Sequence, residues 1–396
     1  MDTREIAQLL TSEGISLLGS LPAYTSSTDV VKIVADLRKQ GHDPLLVAAV
    51  LTQTKLRTKA QSKFGPFAEN MLFTEAGLEQ ATRLPVAAQH AGRFLSAGIT
   101  TVADLGCGIG ADALALSSVG IHVTAVDADE VTAALATYNL SAFPETQVLH
   151  AQAEDVDLTG ITGVYLDPAR RTAGHHNTQR LTKSEDYSPS LDFAFGLGER
   201  FPTGIKLGPG FDRDLIPDNA EAQWISVDGD VVELGLWFGS LKREGITRSA
   251  MVIDSAGTHE MTAPADSADA EIGDLQEYLY EPDGAVIRAR LIGDLARELD
   301  AHMIAEGIAY MTAAEPQQSP FAHGFKIIEE FPLDIKTLTK ELKSRSIGTL
   351  EIKKRGVDID PAEFRKKLKL QGKNNATLFL TRVGQRRVAL LAERLR

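Results

Sequence analysis

Short apolar runs alternate with helical patterns along residues 99–207. The predicted strands are Ile99–Ala103, His122–Val126, Gln147–Ala151, Gly163–Leu166 and Thr203–Leu207. Apolar residues at helical spacing begin at Ala111 and again over Val131–Leu140, between these strands. Strands that alternate with helices predict an α/β fold with a parallel, doubly wound sheet. Sheets of this kind bind ligands at the carboxyl ends of their strands.

The segments on either side of this core have different patterns. Helical periodicity dominates residues 1 to about 90, and a second helix is predicted to start at Pro44–Thr54. After the core, apolar runs flank Asp228–Gly229, which is a typical hairpin turn. Thr258–Ala270 is rich in Ala, Asp, Ser and Pro, and therefore predicts a surface loop or linker.

The remainder of the chain predicts small α+β modules. Ala285–Arg290 is predicted as a strand and Leu291–Glu306 as a helix. Strands and helices then alternate over Phe325–Glu330, Ile335–Leu342, Thr349–Lys353, Pro361–Leu368, Ala376–Arg382 and Arg387–Leu391. The predicted domains are a helical region (1–90), the α/β core (91–272), a small module (273–322) and a C-terminal domain (323–396).

The charge is unevenly distributed along the chain. Lys336–Arg396 contain 17 Lys and Arg against 6 Asp and Glu, whereas the other residues contain 24 against 48, for a net charge of -13. A basic module on an acidic body suggests a polyanionic partner. The single cysteine, Cys107, excludes an internal disulfide and a Cys-based zinc cluster, so no metal is expected. No signal peptide or membrane span is recognisable, which predicts a cytoplasmic protein without a membrane partner.

Three glycines follow the first predicted strand. Gly106, Gly108 and Gly110 allow a tight turn and close approach of a ligand to the backbone. This spacing fits S-adenosylmethionine enzymes and also the dinucleotide fingerprint. Asp104 can hold the ammonium group of the methyl donor, and Asp127 can accept the ribose hydroxyls of either cofactor. The methyl donor is favoured over the dinucleotide and over a purely structural turn.

Asp167-Pro168-Ala169-Arg170-Arg171 is the second motif, and it follows the fourth strand. The Asp167 carboxylate and the Pro168 carbonyl can orient an amino group for attack on a sulfonium methyl group. Arg170 or Arg171 could hold a substrate phosphate, although a structural ion pair is equally consistent with each arginine. Because Cys107 lies inside the glycine loop, a cysteine-nucleophile route is set aside and transfer to nitrogen is favoured over oxygen.

Other candidate residues carry weaker signals. Ala128, Ala153 and Glu154 follow strand ends and are predicted to line the cofactor pocket, with Gln152 as an alternative for adenine. Basic clusters occur in the C-terminal domain, where a solvated surface and a nucleic-acid contact are equally consistent with the pattern. Their residues that are predicted to bind substrate are Lys353, Lys354, Arg355, Lys366 and Lys367.

DLGCGIGAD, AVDAD and YLDPARR together resemble class I S-adenosylmethionine-dependent methyltransferases. MLFTEAGLEQAT, KLGPG, EPDGAVIRARL and the stretch that begins LEIKKRGVDIDP extend the resemblance to one bacterial family over nearly the whole chain. That family joins a helical N-terminal region, a Rossmann-like core, a ferredoxin-like module and a THUMP-like domain. Its core is similar to RNA guanine-N2 (trimethylguanosine synthase-like) methyltransferases. By this match, Phe73, Thr74 and Thr82 line the cofactor pocket.

The resemblance implies an RNA methyltransferase, because THUMP domains present RNA to attached catalytic domains. Related N-methyltransferases carry Asp-Pro-Pro and an aromatic residue that stacks on the target base, whereas Ala169 and Arg170 occupy those places here. Phe73, Tyr187 and Phe211 are alternative candidates for stacking. The main hypothesis is methyl transfer to a nitrogen of an RNA base, in tRNA or rRNA. The alternatives are a protein or small-molecule methyltransferase, and a non-catalytic RNA-binding factor.

Overall fold

A computed structural model describes residues 3–22, 27–170 and 184–395. The chain forms two compact units. The first comprises Met1–Leu207, Asp212–Ala220 and Gly235–Lys242, and the second comprises Gly208–Phe211, Glu221–Leu234 and Arg243–Arg396. Within the described ranges, no helix has the length and apolar character needed to cross a membrane.

The N-terminal part of the first unit is helical, as predicted. Its helices are α1 (Thr3–Leu9), α2 (Ser12–Ser20), α3 (Ser27–Lys39), α4 (Pro44–Phe64), α5 (Glu75–Gln80) and α6 (Leu84–Ser96). Asp43 caps α4 by accepting a hydrogen bond from the Leu45 backbone N–H at 2.7 Å, and Pro44 occupies the first helical position. Helix α4 continues past Thr54 to Gly65, where a positive φ of 53° ends it.

A parallel sheet forms the core of the first unit. Its elements are β1 (Thr101–Leu105), α7 (Ala111–Ser118), β2 (His122–Asp127), α8 (Glu130–Asn139), β3 (Gln147–His150), β4 (Gly163–Leu166), β5 (Ala169–Arg170), β6 (Tyr187–Ser188), α9 (Leu191–Gly198) and β7 (Thr203–Leu207). The strand order is β7-β4-β1-β2-β3, and all of these pairings are parallel. The order reverses between β1 and β4, which is where sheets of this class bind ligands.

Four strands lie around the predicted hairpin, and all except the last part of the second of them belong to the second unit. They are β8 (Glu221–Val227), β9 (Asp230–Phe238), β10 (Arg248–Asp254) and β11 (Gly257–Ala263). Asp228 and Gly229 both have positive φ, 51° and 86°, as a two-residue hairpin turn requires. The predicted loop over Thr258–Ala270 is wrong in its first part, because β11 pairs antiparallel with β10. Most of β11 is exposed or half-buried, so it lacks the apolar alternation that would have identified a strand.

The rest of the second unit is built on a seven-stranded sheet in the order β13-β14-β12-β15-β18-β17-β16. Its elements are β12 (Tyr278–Pro282), α10 (Gly284–Ala289), α11 (Ile292–Glu298), β13 (His302–Met303), β14 (Met311–Ala313), β15 (Ala322–Pro332), α12 (Ile335–Ser344), β16 (Ile347–Lys354), α13 (Pro361–Leu368), β17 (Asn374–Val383) and β18 (Arg386–Arg394). The sheet therefore includes strands from both of the C-terminal segments that the sequence analysis separates at residue 322.

Two further predictions in this unit are wrong. Residues 285–289 lie in helix α10 instead of a strand, because Asp283 caps the helix by accepting a hydrogen bond from the Ala285 backbone N–H at 2.7 Å. Arg290, with a φ of 61°, ends α10. The helix predicted over Leu291–Glu306 ends at Glu298, and the chain then enters β13.

Candidate active site

The glycine loop between β1 and α7 has the backbone conformation that only glycine adopts without strain. Gly106, Gly108 and Gly110 have φ values of 91°, 56° and 88°. The backbone N–H groups of Gly106 and Cys107 both donate to the Val126 carbonyl oxygen at 2.9 Å, which fixes the loop to the end of β2. A Cβ on Gly108 would have no atom within 4 Å, so the backbone there is open to a ligand.

Asp104 lies on β1, directly before this loop, and is only 1% exposed. Its Oδ2 atom has no hydrogen-bond partner among the described residues. Burial raises the pKa of Asp104 well above its ordinary value, and the neighbouring carboxylates of Asp112 and Asp167 raise it further. A buried carboxylate without a partner is costly, and a cationic ligand would stabilise it.

Asp127 lies at the end of β2 and is half-buried. Its two carboxylate oxygens accept hydrogen bonds from the backbone N–H groups of Gly108 at 3.0 Å and Asp129 at 2.9 Å. Burial raises the pKa of Asp127, and these two hydrogen bonds partly oppose that effect. Asp129 caps α8 by accepting a hydrogen bond from the Thr132 backbone N–H, which leaves Asp127 oriented by the glycine loop.

The other predicted cofactor residues after β2 and β3 lie at the same end of the sheet. Ala128 is exposed, and its carbonyl oxygen lies 3.2 Å from His150 Nε2. Ala153 and Glu154 form a short 3-10 turn after β3, with Ala153 half-buried and Glu154 exposed. The Ala151 backbone N–H donates to the Asp127 carbonyl oxygen at 3.2 Å, so this turn is held beside the end of β2.

The 72–82 segment is fixed to the glycine loop by buried amide side chains. The Asn139 amide donates to the carbonyl oxygens of Leu72 at 3.0 Å and Ile109 at 2.9 Å. The Gln53 amide pairs with both backbone groups of Phe73, at 2.7 and 2.9 Å. Nothing in the sequence pattern marks Gln53 or Asn139, because their importance depends on contacts far along the chain.

The predicted pocket residues of this segment have structural partners. Phe73 is 0% exposed in the core, and Thr74 caps α5 by accepting a hydrogen bond from the Gly77 backbone N–H at 2.9 Å. Thr82 donates to Asp112 Oδ2 at 2.6 Å. A Cβ on Gly77 would lie 2.7 Å from the Ile109 side chain, so α5 packs directly on the glycine loop. The segment is therefore held against the glycine loop.

The acceptor motif follows β4. Asp167 is half-buried, and its Oδ2 atom lies 2.5 Å from Lys206 Nζ at the end of β7. A Cβ on Gly106 would lie 3.2 Å from the Asp167 carbonyl oxygen, so this motif is adjacent to the glycine loop. Pro168 is buried. The sequence analysis does not single out Lys206, although it lies within the KLGPG stretch.

Of the two arginines of the motif, the structure describes the backbone of Arg170 only. The backbone of Arg170 lies in β5 and pairs with Tyr187 in β6, whereas Arg171 lies outside the described residues. The predicted stacking aromatics Tyr187 and Phe211 are 3% and 5% exposed. Like Phe73, they are packed into the protein, so none of the three presents an open ring face to a base.

The C-terminal basic residues fall into two groups. Lys353 Nζ lies 2.6 Å from Glu281, and Arg355 forms an ion pair with the same carboxylate at 3.7 Å. The side chains predicted here to bind substrate are therefore already neutralised. By contrast, Lys354, Lys366 and Lys367 are exposed, and Lys366 has a local ion pair with Glu363.

Comparison with known proteins identifies the family. A protein of Mycobacterium tuberculosis strain CDC 1551 / Oshkosh, described as an uncharacterized S-adenosylmethionine-dependent methyltransferase, is 31% identical over 345 residues. The match covers 84% of this chain and 91% of the relative. This chain belongs to the S-adenosylmethionine-dependent methyltransferases. A methyltransferase of the same description from strain ATCC 25618 / H37Rv has the same identity and coverage.

The methyltransferase also matches known structures and domain families. A crystal structure of a candidate methyltransferase from Porphyromonas gingivalis W83 matches with a TM-score of 0.73 and 20% identity, and the match covers 100% of both chains. This similarity shows the fold. Residues 322–394 match the family described as THUMP domain-like, and residues 2–60 match a domain of unknown function. The predicted methyltransferase fold, THUMP-like C-terminus and methyl-donor cofactor are confirmed, whereas the dinucleotide interpretation is wrong.

The chemistry of this end of the sheet fits the methyl donor. S-adenosylmethionine carries an ammonium group, and the buried Oδ2 atom of Asp104 needs such a partner. The donor also has a ribose, whose hydroxyl groups can donate to the lone pairs that remain on Asp127. Within the described parts of the chain, no group of three or more His, Cys, Asp and Glu residues could hold a metal ion.

Proposed function

We propose that this methyltransferase transfers a methyl group to a nitrogen of an RNA base. The observation that carries this proposal is the match of residues 322–394 to the THUMP domain-like family, in a region of strongly positive charge. S-adenosylmethionine supplies an electrophilic sulfonium methyl group, so the protein has to bind the donor and orient the acceptor.

The donor is held by residues around β1 and β2. Asp104 binds its ammonium group, and Asp127 binds its ribose hydroxyls. The glycine loop provides open backbone at Gly108, where a side chain would obstruct the ligand. Ala128, Ala153 and Glu154 lie at the adjacent strand ends and line the adenosine side.

The acceptor nitrogen is oriented by Asp167 and the carbonyl of Pro168. A carboxylate and a carbonyl are both hydrogen-bond acceptors, so together they can hold the two hydrogens of an amino group and direct its lone pair. This chemistry favours an exocyclic amino group over a hydroxyl group as the target. Arg170 and Arg171 follow directly in the sequence, and their positive charges suit an RNA phosphate.

The RNA is held by α12 and α13 of the THUMP-like domain. These two helices pack against each other and against the same strand, β16. Their exposed basic residues and those of the adjoining turns are Lys336, Lys340, Lys343, Arg365, Lys366, Lys367, Lys369 and Lys373. We call this set the basic helical surface. It is more suited to RNA phosphates than Lys353 and Arg355, because Glu281 neutralises that pair.

The decisive experiment is methyl transfer from tritiated S-adenosylmethionine to RNA purified from a strain that lacks the gene. RNA from the parent strain is the control, because its target should already be methylated. We expect label in the tRNA or rRNA fraction of the deletion strain only, and mass spectrometry of nucleosides then identifies the methylated base. Equal label in both RNA samples, or label in protein alone, would contradict the proposal.

A further inference from the structure

Lys206 connects the acceptor motif to the 72–82 segment. Its ammonium group lies 2.5 Å from Asp167 Oδ2, and it also donates to the Gln80 carbonyl oxygen at 3.1 Å. The side chain of Lys206 is only 12% exposed, and that of Asp167 is 32% exposed. Because this pair is partly shielded, solvent and salt weaken it less than a pair on the surface. The lysine therefore fixes one oxygen of the Asp167 carboxylate.

Lys63 binds the same end of α5 and provides a natural comparison. Its ammonium group donates to the carbonyl oxygens of Leu78, Glu79 and Ala81 at 2.8, 2.6 and 2.8 Å. Burial and the positive charges of Lys206 and Arg83 together lower the pKa of Lys63 to about 8. The two lysines are thus neighbours that bind consecutive carbonyl groups. Lys206 differs because its ammonium group is also paired with Asp167.

The ion pair of Lys206 also lies close to the carboxylate assigned to the donor. The charges of Asp167 and Lys206 both affect the pKa of Asp104, which the first raises and the second lowers. A Cβ on Gly106 would lie 3.2 Å from the Asp167 carbonyl oxygen. Asp104 and Asp167 are therefore close neighbours, and Lys206 is a charged side chain that contacts both the acceptor motif and the 72–82 segment.

We propose that Lys206 is a positioning residue for methyl transfer, which holds the Asp167 carboxylate toward the acceptor nitrogen; this inference rests on the role proposed for Asp167. Lys206 binds Oδ2 of the carboxylate and so sets the direction in which Asp167 meets the acceptor. Its bond to the Gln80 carbonyl oxygen is a second contact that keeps the ammonium group in place. Without Lys206, the carboxylate loses the contact that orients it toward the acceptor.

The test compares the Lys206→Met, Lys206→Arg and Asp167→Asn variants with Lys63→Met. Calorimetry first measures the dissociation constants of S-adenosylhomocysteine and of sinefungin, an analogue with an amine in place of the methylsulfonium group. Neither measurement needs RNA. The ratio of the two constants reports on the group that faces the transferring methyl, because the amine of sinefungin would contact Asp167. Lys59→Met, at an exposed ion pair with Glu79, controls for general effects of removing a lysine.

We expect both Asp167→Asn and Lys206→Met to reduce the preference for sinefungin, by about threefold to fivefold, because its amine then lacks the oriented carboxylate. Lys206→Arg should stay close to the unmodified protein, and Lys63→Met and Lys59→Met should leave the ratio unchanged. In the RNA assay, Lys206→Met should lower kcat by about tenfold or more, with S-adenosylhomocysteine affinity within about threefold.

Several results would overturn this role of Lys206. One is an unchanged ratio in Lys206→Met, and another is an equal change of the ratio in Lys206→Met and Lys63→Met. An unchanged ratio in Asp167→Asn would equally contradict it, because Asp167 would then not face the methyl position. The failure of the RNA proposal is distinguishable: the unmodified protein would methylate no RNA, while the ratio would still shift in Lys206→Met.

Discussion

His90 Nδ1 lies 2.8 Å from Asp112 Oδ1, and the two side chains are only 2% and 8% exposed. Burial alone would raise the pKa of Asp112, but the hydrogen bonds from His90 and Thr82 and the charge of His90 lower it overall. The Tyr165 hydroxyl lies 3.1 Å from the same histidine nitrogen. Because Asp112 is the second residue of α7, this buried group fixes the start of the helix that follows the glycine loop.

Replacing His90 by Ala should lower the free energy of unfolding by about 2 to 4 kcal/mol, because it removes a partner of a buried carboxylate and leaves a cavity. Urea denaturation measures the change. Because the pKa of Asp112 is lowered in the folded protein, its ionised carboxylate stabilises the fold above the ordinary Asp pKa of about 3.9. This stabilisation is lost as the pH falls through the lowered pKa. The cost of His90→Ala should therefore decrease in acid.

The matched control is His122→Ala. His122 also lies near a carboxylate, Glu145 at 3.6 Å, but its side chain is 57% exposed. We expect a change within about 0.5 kcal/mol for this exposed pair. Equal effects of the two substitutions would contradict a special role for the buried pair.

The sequence predicted the parts of the site that depend on local order. A strand, three glycines and a helix follow one another between Thr101 and Ser118, and each requires only its neighbours to be recognised. Gln53, Asn139 and Lys206 escaped prediction because these partners are 20 to 126 residues away in the chain. Such contacts appear only when the segments are folded together.

The wrong secondary-structure predictions have a similar physical cause. Ala285–Arg290 contains Ala, Val and Ile, which suit a buried strand as well as a buried helix. The cap at Asp283 decides in favour of the helix. Strand β11 is an edge strand with a mostly polar sequence, so its pairing with β10 determines its conformation more than its own pattern does.

Asp104→Asn should make the donor-free protein more stable near neutral pH and weaken donor binding. Burial raises the pKa of Asp104, so its charged form opposes folding, and stability falls as the pH rises from the ordinary value through the raised pKa. The variant should unfold at a higher temperature at pH 8, and its donor affinity should fall about tenfold to a hundredfold because it loses a charged hydrogen bond. Differential scanning calorimetry and titration calorimetry measure these effects.

Asp157→Asn is the control for this substitution. Asp157 binds the backbone and side chain of Thr159, outside the strand ends that form the site. Its replacement should leave donor affinity unchanged. Loss of stability together with full donor affinity in Asp104→Asn would contradict the assigned role of Asp104.

Gly108→Ala should weaken donor binding by about tenfold or more, because a Cβ would occupy the open space at the loop. It should also cost about 1 kcal/mol of stability, since the φ of Gly108 is 56°. Gly160→Ala is a close match, with a φ of 80° and likewise no atom within 4 Å of the added Cβ. If both variants lose the same stability but only Gly108→Ala loses donor affinity, the effect arises at the site. Equal donor affinities of the two variants would mean that the donor does not bind against the backbone of Gly108.

The double substitution Arg365→Gln and Lys367→Gln should weaken RNA binding and reduce its dependence on salt. Both residues are exposed in α13, on the basic helical surface. Each lost phosphate contact lowers the slope of log affinity against log salt by about 0.7 for single-stranded RNA, so the double variant should lose about 1.4. Filter binding at several salt concentrations measures the slope. The range of roughly 50 to 200 mM is suitable, because the affinity of phosphate contacts changes strongly with salt over it.

Arg38→Gln with Lys39→Gln removes the same two residue types from exposed positions in the last turn of α3. This variant has the same change in net charge, so it separates local contacts from the overall field of the protein. We expect its slope to match that of the unmodified protein. An equal loss of slope in both double variants would mean that net charge alone governs binding. An unchanged slope in the α13 variant would exclude Arg365 and Lys367 as phosphate contacts.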